Sequence, residues 1–333
     1  MTGGTGRPAR AYEVVPYAPM HRPRLYALMQ DVWGSYMPEE EFEWWYERNP
    51  VRSGTISLAV LGDRVAGMLA MSYARMRLDG REALAAFAID GATHPDFRGQ
   101  GIFQALELEN ERRAAEIGAE VAVGFTNPMA GPILVGRVGW ADVRRLRLWA
   151  RVLRPLAVLR RRGAPGEALQ PRPARGGVEP FERFGSEAED VVRTAAADYP
   201  DHVVRDIDYL NWRYAESPRG YRCLGAFRDG RLGAFAVLGH KVHGGISAAY
   251  VADLVAPSAR AARLLLRRCV AEARGGADAV IGLPGRNVSA FVAAGFVPTP
   301  QTIRLIGKPL AEHAHLPTDG RNWHFSLGDS DIF

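Results

Sequence analysis

The feature that most constrains this chain is an internal repeat, because its two halves carry the same patterns in the same order. FEWWYERNP in the first half matches LNWRYAESP in the second, with a tryptophan, a tyrosine and a proline at the same spacing. An apolar–turn–apolar pattern, a run beginning AFAIDGATHP or AYVADLVAP, and a closing Gly-Trp or Gly-Phe follow in both halves. The offset between matches drifts slowly from 168 to 156 residues. Four ordered matches predict two copies of one folding unit.

Each copy has the pattern helix, hairpin, long strand, helix, strand, helix. Gly-Asp or Asp-Gly pairs between apolar runs predict the hairpins. A helix is expected from Gly101 to Ile117, ending at Gly118, and a right-handed crossover through it would make the flanking strands parallel. The inward-facing stripe expected on this helix is Ile102, Ala105, Leu106, Ala114 and Ile117. The repeated aromatic residues, Trp44 and Tyr46 with Trp212 and Tyr214, are interpreted as core.

A segment rich in Pro, Gly and Arg, RRRGAPGEALQPRPARGGVEP, separates the copies and predicts a surface linker. The 333 residues suit two domains of about 150 residues better than one core. We therefore expect a disordered leader over 1–11, an N-terminal domain over 12–158, a linker over 159–177 and a C-terminal domain over 178–333.

Several classes of protein fit the composition poorly. No apolar run approaches the ~18–20 residues of a membrane span, and the first residues lack the apolar segment of a signal peptide. Cys223 and Cys269, the only cysteines, make neither a disulfide framework nor a metal site. We therefore expect a cytoplasmic protein with no membrane span and no metal.

The net charge is +5, and arginines cluster in VRRLRLWARVLRPLAVLRRRG, residues 143–163. The favoured interpretation is a solvated helix face followed by linker. The alternative is a docking site for an acidic partner or a nucleotide phosphate. Nucleic-acid binding would need a basic helix interleaved with aromatic residues, which the sequence lacks, so no nucleic-acid partner is expected.

Residues 94–106, HPDFRGQGIFQAL, place two glycines and an arginine where a strand runs into a helix. Glycines let a loop close tightly, so that several backbone N–H groups point at one spot. The helix N-terminus adds partial positive charge and Arg98 adds a full one, which together favour a pyrophosphate. A purely structural tight turn is the alternative.

In this position the segment resembles motif A of the GNAT superfamily of N-acetyltransferases, whose pattern is Arg/Gln-x-x-Gly-x-Gly/Ala. The matching residues are Arg98, Gly99, Gln100, Gly101, Ile102 and Phe103. The later strand, Asn127 and the closing Gly139-Trp140 are similar to the family's next motif. The resemblance covers about residues 12–150 and extends weakly, through the repeat, over 178–310. It implies an α/β fold of two tandem GNAT-like units, each a mixed, mainly antiparallel twisted sheet flanked by helices, with splayed strands at the acyl-CoA site.

The resemblance also implies an acyl-coenzyme A (acyl-CoA) site. Loop N–H groups would hold the pyrophosphate, and Gly91 would occupy a bulge in the preceding strand. The main chain near Ala92 and Thr93 would bind the pantetheine arm and the thioester carbonyl. The cofactor-binding residues expected are Ala92, Thr93, Arg98, Gly99, Gln100, Gly101, Ile102 and Asn127. The donor would carry an acetyl or longer acyl group, on CoA or on an acyl carrier protein.

The sequence departs from the family pattern in two places. Phe103 stands where the family prefers Gly or Ala, which predicts a less close approach of the cofactor to the first helical turn. Val135 stands where the family commonly has the tyrosine that protonates the leaving thiolate. In the second copy the loop reads Ser-Ala-Arg-Ala-Ala-Arg from Ser258 and keeps neither glycine. That copy is therefore expected to be degenerate and to shape the acceptor pocket instead.

An acceptor amine must lose a proton before it attacks a thioester, so a base is needed. Tandem arrangements of this kind resemble N-myristoyltransferases and Eis-type aminoglycoside acetyltransferases, in which the terminal carboxylate is the base. The ending WHFSLGDSDIF offers Asp329, Asp331 and the carboxylate of Phe333 close together, although a frayed acidic tail is the simpler interpretation. Asp90 and His94 are rival bases, and His94 is equally interpreted as a loop histidine before proline.

The function expected is an acyl-CoA-dependent N-acyltransferase that acts by direct attack of a primary amine. Small molecules, amino sugars, peptides and natural products are the candidate acceptors, and a role in antibiotic biosynthesis or modification would suit tandem members of the family. Because the usual acid is missing, the alternative is a non-catalytic acyl-CoA-binding pseudoenzyme with a regulatory role.

Overall fold

A computed structural model describes residues 12–160, 177–197, 199–320 and 322–330 of the chain. The leader expected over 1–11, nearly all of the linker expected over 159–177, and the terminal residues 331–333 lie outside this part. Within the described part, no helix is both long enough and apolar enough to cross a membrane.

The first half runs from β1 to α5. Its strands are β1 (Glu13–Pro16), β2 (Thr55–Leu61), β3 (Arg64–Leu78), β4 (Arg81–Thr93), β5 (Val121–Thr126) and β6 (Ala141–Val152). Its helices are α1 (Arg22–Trp33), α2 (Glu39–Phe42), α3 (Ile102–Glu116), α4 (Gly131–Ile133) and α5 (Pro155–Arg160). One π-helical turn, πA (Glu43–Glu47), continues α2, and another, πB (Leu134–Val138), continues α4.

The second half follows the same order of elements, with β8 inserted after α6. Its strands are β7 (Val178–Phe181), β8 (Asp201–Val203), β9 (Arg222–Arg228), β10 (Arg231–His243), β11 (Ile246–Val255), β12 (Ala279–Gly282), β13 (Val297–Pro309) and β14 (Trp323–His324). Its helices are α6 (Ser186–Ala196), α7 (Ile207–Leu210), α8 (Ala259–Ala273) and α9 (Val288–Ala293), and a π-helical turn, πC (Asn211–Ala215), continues α7.

The local predictions are confirmed. Two-residue turns join β2 to β3 and β9 to β10, and the second turn uses Asp229 (φ 52°) and Gly230 (φ 75°), as hairpin turns of this length require. Helix α3 buries Ile102, Leu106 and the rest of the expected stripe, with Ile117 only half-buried just beyond its end.

The strands form one mainly antiparallel sheet in the order β1-β2-β3-β4-β5-β13-β6-β12-β11-β10-β9-β7. The pairs β4–β5 and β11–β12 are parallel, as the crossovers through α3 and α8 predict. Helix α3 packs on β2, β3 and β4, and α8 packs on β9 to β12. The predicted fold class, a mixed and mainly antiparallel sheet flanked by helices, is therefore confirmed.

Strand β6 of the first half and strand β13 of the second half each pair with a strand of the other half. Strand β13 pairs with β5 of the first half, and β6 pairs with β12 of the second. Strands β6 and β13 also pair antiparallel with each other at the centre of the sheet. We call this arrangement the strand exchange. It makes the sheet continuous across the boundary between the halves.

The favoured interpretation of the arginine cluster is wrong. Residues 141–152 form the central strand β6 instead of a solvated helix face, and only residues 155–160 are helical. Apolar side chains alternate with the arginines, which is the two-residue period of a strand. The carbonyls of neighbouring segments accept hydrogen bonds from two of these arginines: Arg144 donates to Gly320 O (2.8 Å), and Arg151 donates to Ala294 O.

The repeated aromatic residues meet at the boundary between the halves. Trp44 Nε1 donates to the carbonyl of Trp212 (2.6 Å), and Trp212 Nε1 donates to the carbonyl of Trp44 (2.9 Å). All four repeated aromatic side chains, including Tyr46 and Tyr214, are buried. Their interpretation as core is therefore confirmed, and the reciprocal bonds join the two repeated segments to each other.

The described part of the C-terminal segment packs into the core. Trp323, Phe325 and Leu327 are buried, and β14 pairs with β8. Asp329 Oδ2 forms a buried ion pair with Arg205 Nη2 (2.9 Å). Residues 322–330 are consequently not a frayed tail.

Candidate functional site

Strands β4 and β5 separate in the middle of their lengths. Their pairing runs from Ala85–Val121 to Phe87–Val123, but both strands continue beyond it. We call residues 88–93 of β4 and 124–126 of β5 the strand gap. Within the gap the two strands do not pair with each other. The N–H and C=O groups of β4 that face β5 are therefore left for a ligand.

A β-bulge lies in the β4 side of the strand gap. Asp90 and Gly91 together oppose Leu69 of β3, and Asp90 has a positive φ of 49°. A side chain at Gly91 would meet the Phe103 ring, since a Cβ there would lie 2.9 Å from Phe103 Cε2. The bulky residue that departs from the family pattern is thus accommodated by the predicted bulge glycine.

The glycine loop adopts the conformation that its sequence predicts. Gly99 and Gly101 have φ values of 80° and 77°, with open space around both, so backbone conformation rather than crowding requires glycine at these positions. Gly101 is the N-cap of α3. The first N–H groups of α3 have no carbonyl partner within the helix.

These N–H groups lie at a cavity of about 500 Å³ between the C-terminal end of α1, the glycine loop and the turn before α4. The expected cofactor residues that line it are Ala92, Thr93, Arg98, Gly99, Gly101, Ile102 and Asn127. Gln100 belongs to the same loop but does not line the cavity. Sequence reasoning missed the apolar side chains of Trp33 and Met129 and the guanidinium of Arg137, which line it too.

The cavity is electropositive. Arg98 and Arg137 are exposed at its lining, and none of the described residues that line it is Asp or Glu. Among the described residues, the Arg98 guanidinium makes a single long contact, from Nε to Thr93 O (3.4 Å), which leaves the rest of the group for a ligand. Two cations and a helix N-terminus without a carboxylate suit a ligand with several negative charges.

Asn127 begins the turn that leads into α4. Its Oδ1 accepts hydrogen bonds from the N–H groups of Met129 and Ala130, both at 2.9 Å. Both lone pairs of Oδ1 are thereby used, so only the NH₂ group of Asn127 can reach a ligand.

Asp90 projects from the bulge toward πA. Tyr46 Oη donates a 2.7 Å hydrogen bond to Asp90 Oδ2. Burial raises the pKa of Asp90, although the hydrogen bond from Tyr46 and the charge of Arg219 oppose this effect. Arg219 belongs to the second half and donates to Glu41 (2.7 Å), so both halves contribute to the surroundings of this carboxylate.

Sequence reasoning placed Tyr46 in the core but missed its contact with Asp90. The signal was present in the repeat, because each half also carries an aspartate at the matching strand position. In the second half Tyr214 Oη contacts Asp253 Oδ2 at 3.0 Å, which repeats the Tyr46–Asp90 pair.

The other predicted bases differ in position from Asp90. His94 Nδ1 accepts the N–H of Asp96 (3.2 Å), and its Nε2 lies 3.1 Å from Arg64 Nη2 and 3.5 Å from Asp31. His94 therefore has a structural role in the turn that precedes the glycine loop. Asp331 and Phe333 lie outside the described residues.

The second half has a corresponding cavity of about 200 Å³ beside the loop after β11. Ser258 caps α8 through a hydrogen bond from the N–H of Ala261 (3.3 Å), so a side chain occupies this helix N-terminus. Arg205 Nε lies 2.7 Å from Asp253 Oδ2 and binds Asp329 as well. The carboxylate that corresponds to Asp90 is therefore held in a buried salt bridge.

Two further observations bear on the chemistry of the site. Val135 lies half-buried in πB and brings no hydroxyl to the position of the usual acid. In the part of the chain that the structure describes, no three His, Cys, Asp or Glu side chains are placed to hold a metal ion.

Comparisons with known proteins agree with this geometry. Residues 15–142 match the family model of the acetyltransferase (GNAT) domain. No curated protein matches the chain in sequence. Saccharomyces cerevisiae N-myristoyltransferase, solved with bound myristoyl-CoA and inhibitors, has a TM-score of 0.66 at 12% identity, over 92% of this chain and 82% of that one. A GCN5-related N-acetyltransferase from Anabaena variabilis has a TM-score of 0.60 at 12% identity, over 90% and 73%.

At these identities the solved structures establish the shared fold, while the family model identifies the domain that carries the glycine loop and the strand gap. The first half of the chain therefore carries a GNAT acetyltransferase domain over residues 15–142.

Proposed function

We propose that the cavity binds acyl-CoA and that the protein transfers its acyl group to a primary amine. The observation that carries this proposal is the glycine loop at the N-terminus of α3, which opens into a cavity of about 500 Å³ that ends at the strand gap. The loop N–H groups and Arg98 would hold the pyrophosphate, with Arg137 as a second cation. The main chain at Ala92 and Thr93 would bind the pantetheine arm and the thioester carbonyl.

In this proposal Asp90 is the base. Its carboxylate points from the bulge toward Tyr46, on the side opposite Gly91 and Phe103 and next to the strand gap. The raised pKa of Asp90 is closer to the pKa of an amine than an ordinary carboxyl's is. The amine nitrogen forms the C–N bond as the C–S bond breaks, and Asp90 takes up the amine proton. The CoA thiolate takes its proton from water, because Val135 has none to give.

Direct attack is favoured over a covalent enzyme intermediate. Cys223 and Cys269 are both buried, and burial raises the pKa of each thiol to about 12. Neither sulfur would be a thiolate at neutral pH, which is the form that acts as a nucleophile.

The second half, a degenerate copy in this proposal, would shape the acceptor side. Arg219 and Arg213 come from that half and lie beside Trp45 of the first, with guanidinium carbons 5.0 Å from its ring. The acceptor would be an amine of a small molecule, amino sugar, peptide or natural product. His94, Asp331 and the carboxylate of Phe333 stay as rival bases, and an acyl carrier protein stays as a rival donor.

Native mass spectrometry with CoA and acetyl-CoA tests the site. We expect a one-to-one adduct in the wild type and, because a charged phosphate contact is lost, binding that is weaker by about ten- to a hundredfold in Arg98→Ala. Gly101→Val should abolish binding, because valine cannot adopt the loop conformation without strain.

Gly118→Val is the matched control for this experiment. Gly118 also has a positive φ (88°) and open space around it, but it lies at the other end of α3. Equal binding losses in both glycine variants, or no CoA adduct in the wild type, would contradict the proposed site.

The second candidate function is a non-catalytic acyl-CoA-binding module, which Val135 at the usual acid position favours. Release of the CoA thiol from acetyl-CoA in the presence of a panel of amines separates the two. Amine-dependent release that Arg98→Ala lowers supports the enzyme, and tight binding without release on any amine supports the module.

A further inference from the structure

We propose that the acyl site accepts only a short chain, with acetyl the best donor, because the C-terminal segment fills the space behind the strand gap. This inference rests on the proposed function, and it names the donor class that the same site would select. Three observations carry it: the direction in which the gap opens, the residues behind it and the free volume left among them.

An acyl chain that extends the thioester through the strand gap would leave the cavity on the face of the sheet opposite α3. Phe87 and Ile89 point to that face, since both belong to the core cluster of Trp45 and Trp212. On the β5 side, Phe125 packs against the same cluster. These side chains would be the first contacts of any carbon beyond the carbonyl.

Phe325 of the C-terminal segment lies directly behind this opening. Its ring packs edge-on against Phe125, with centroids 5.5 Å apart, and stacks on Trp323 at 5.1 Å. Phe325 is 5% exposed. Trp323 Nε1 donates to Pro317 O (3.0 Å), so the stacked pair is fixed by a hydrogen bond as well as by packing.

On the β3 side of this opening the described residues leave a small cavity. The cavity beside Phe87 and Ile89 measures about 20 Å³, and Trp45 of the first half closes it together with Tyr209 and Asp329 of the second. A space of this size holds about one water molecule or one methyl group. Each further methylene would have to displace close-packed aromatic side chains, which is the unfavourable overpacking of a core.

Equilibrium binding of a graded series tests the inference, with CoA, acetyl-CoA, butyryl-CoA and octanoyl-CoA as the probes. We expect CoA and acetyl-CoA to bind alike and octanoyl-CoA to bind at least tenfold more weakly. Phe325→Ala should recover octanoyl-CoA binding by tenfold or more and leave CoA binding unchanged, because it enlarges only the space behind the gap.

Two further variants make the result specific. Ile89→Ala enlarges the opening from the β4 side and should act in the same direction, which keeps the test valid if Phe325→Ala fails to fold. Leu108→Ala, on the exposed face of α3, removes an apolar side chain of similar size and should leave the whole series as in the wild type.

The outcomes separate this inference from the proposed function. If CoA binds normally but octanoyl-CoA binds as tightly as acetyl-CoA or more tightly, the inference is overturned and the proposed function stands. The inference also fails if neither Phe325→Ala nor Ile89→Ala changes the order of affinities. If no CoA species binds the wild type, the proposed function falls and takes the inference with it.

Discussion

Both halves carry an aspartate at the matching strand position, Asp90 and Asp253, and the two have different surroundings. Asp253 of the second half is neutralised by Arg205, whereas Asp90 of the first half has Tyr46 as its hydrogen-bond partner and Arg219 as a neighbouring charge. A carboxylate in a tight ion pair is a poor proton acceptor. This difference supports the first half as the half in which proton transfer takes place.

Asp90→Asn should lower kcat by at least a hundredfold if Asp90 is the base, with CoA affinity unchanged. Asparagine keeps the shape of the side chain and tolerates a positive φ, so the bulge should persist. Because burial raises the pKa of Asp90, wild-type kcat/KM should rise with pH above the range of an ordinary carboxyl. That rise should be missing from the profile of the variant.

Asp96→Asn is the control for this measurement, since Asp96 is an exposed aspartate six residues away. An Asp90→Asn enzyme with nearly full activity would exclude Asp90 as the base. His94→Gln and a chain that ends at residue 330 would then test the rivals.

Glu107 on α3 has a buried carboxyl group whose ionisation would destabilise the folded state. It has no exposed surface, and neither of its oxygens has a hydrogen-bond partner among the described residues. Burial, and then the charge of Glu111, raises its pKa to about 8, although Lys308 opposes this. The folded state therefore keeps this proton at neutral pH, whereas the unfolded chain has lost it.

The unfolding free energy should consequently fall as pH rises from about 4.5 to 8, by up to ~1.4 kcal/mol per pH unit from this group. Glu107→Gln removes the titration, so the variant should gain stability over the wild type toward pH 8. Urea unfolding at pH 5 and pH 8 measures the difference, with Glu116→Gln on the exposed face of α3 as the control. A pH-independent difference would show that Glu107 does not titrate in this range.

At the residue scale, the sequence predicted what depends on local backbone chemistry. Gly99 and Gly101, for example, predict loop residues with a positive φ, and both have one. The pairing of Tyr46 with Asp90 spans 44 residues, and no periodicity specifies a contact of that separation. The burial of the Glu107 carboxyl could not be predicted either, because a glutamate on a helix predicts a solvated face.

At the scale of elements, strands and helices followed from apolar period and turn residues, and β6 was the exception. Its arginines made the segment look solvated, although Leu146 and Leu148 alternate with them. Charge dominated the interpretation because a central strand seldom carries so many cations. The strand exchange could not be predicted, because β6 and β13 can each pair antiparallel with either β5 or β12, and periodicity does not choose between these partners.

The strand exchange predicts that a residue of the second half controls the site of the first. A Cβ at Gly307 on β13 would lie 2.8 Å from the carbonyl oxygen of Ala122 on β5. Gly307→Ala should therefore push β13 away from β5, lower stability by about 1–3 kcal/mol and weaken CoA binding.

The matched control is Gly233→Ala on β10, where the nearest atom to the new Cβ, Ala226 O, is at an ordinary 3.6 Å. Urea unfolding and CoA titration measure both variants. If Gly307→Ala binds CoA like the wild type while being destabilised, β13 supports the fold without shaping the cavity.

At the scale of the whole molecule, the two halves are joined by more than a linker. Besides the exchanged strands, Trp44 and Trp212 bond reciprocally, and Arg213 lies over Trp44 and Trp45. The repeat in the sequence predicted the two copies, but it gave no sign that they would share one sheet. Contacts between copies depend on surfaces that form only after each copy has folded.

The strand exchange also bears on how such a chain can change over generations. Ile306 of β13 packs in the same cluster as Ala130 and Phe103, so a substitution in the second copy is exposed to selection for what the first copy does. The loop after β11 has neither glycine, and the cavity beside it is lined by described residues of its own half. Strand β13 also packs against the first half, so the two copies inherit change together.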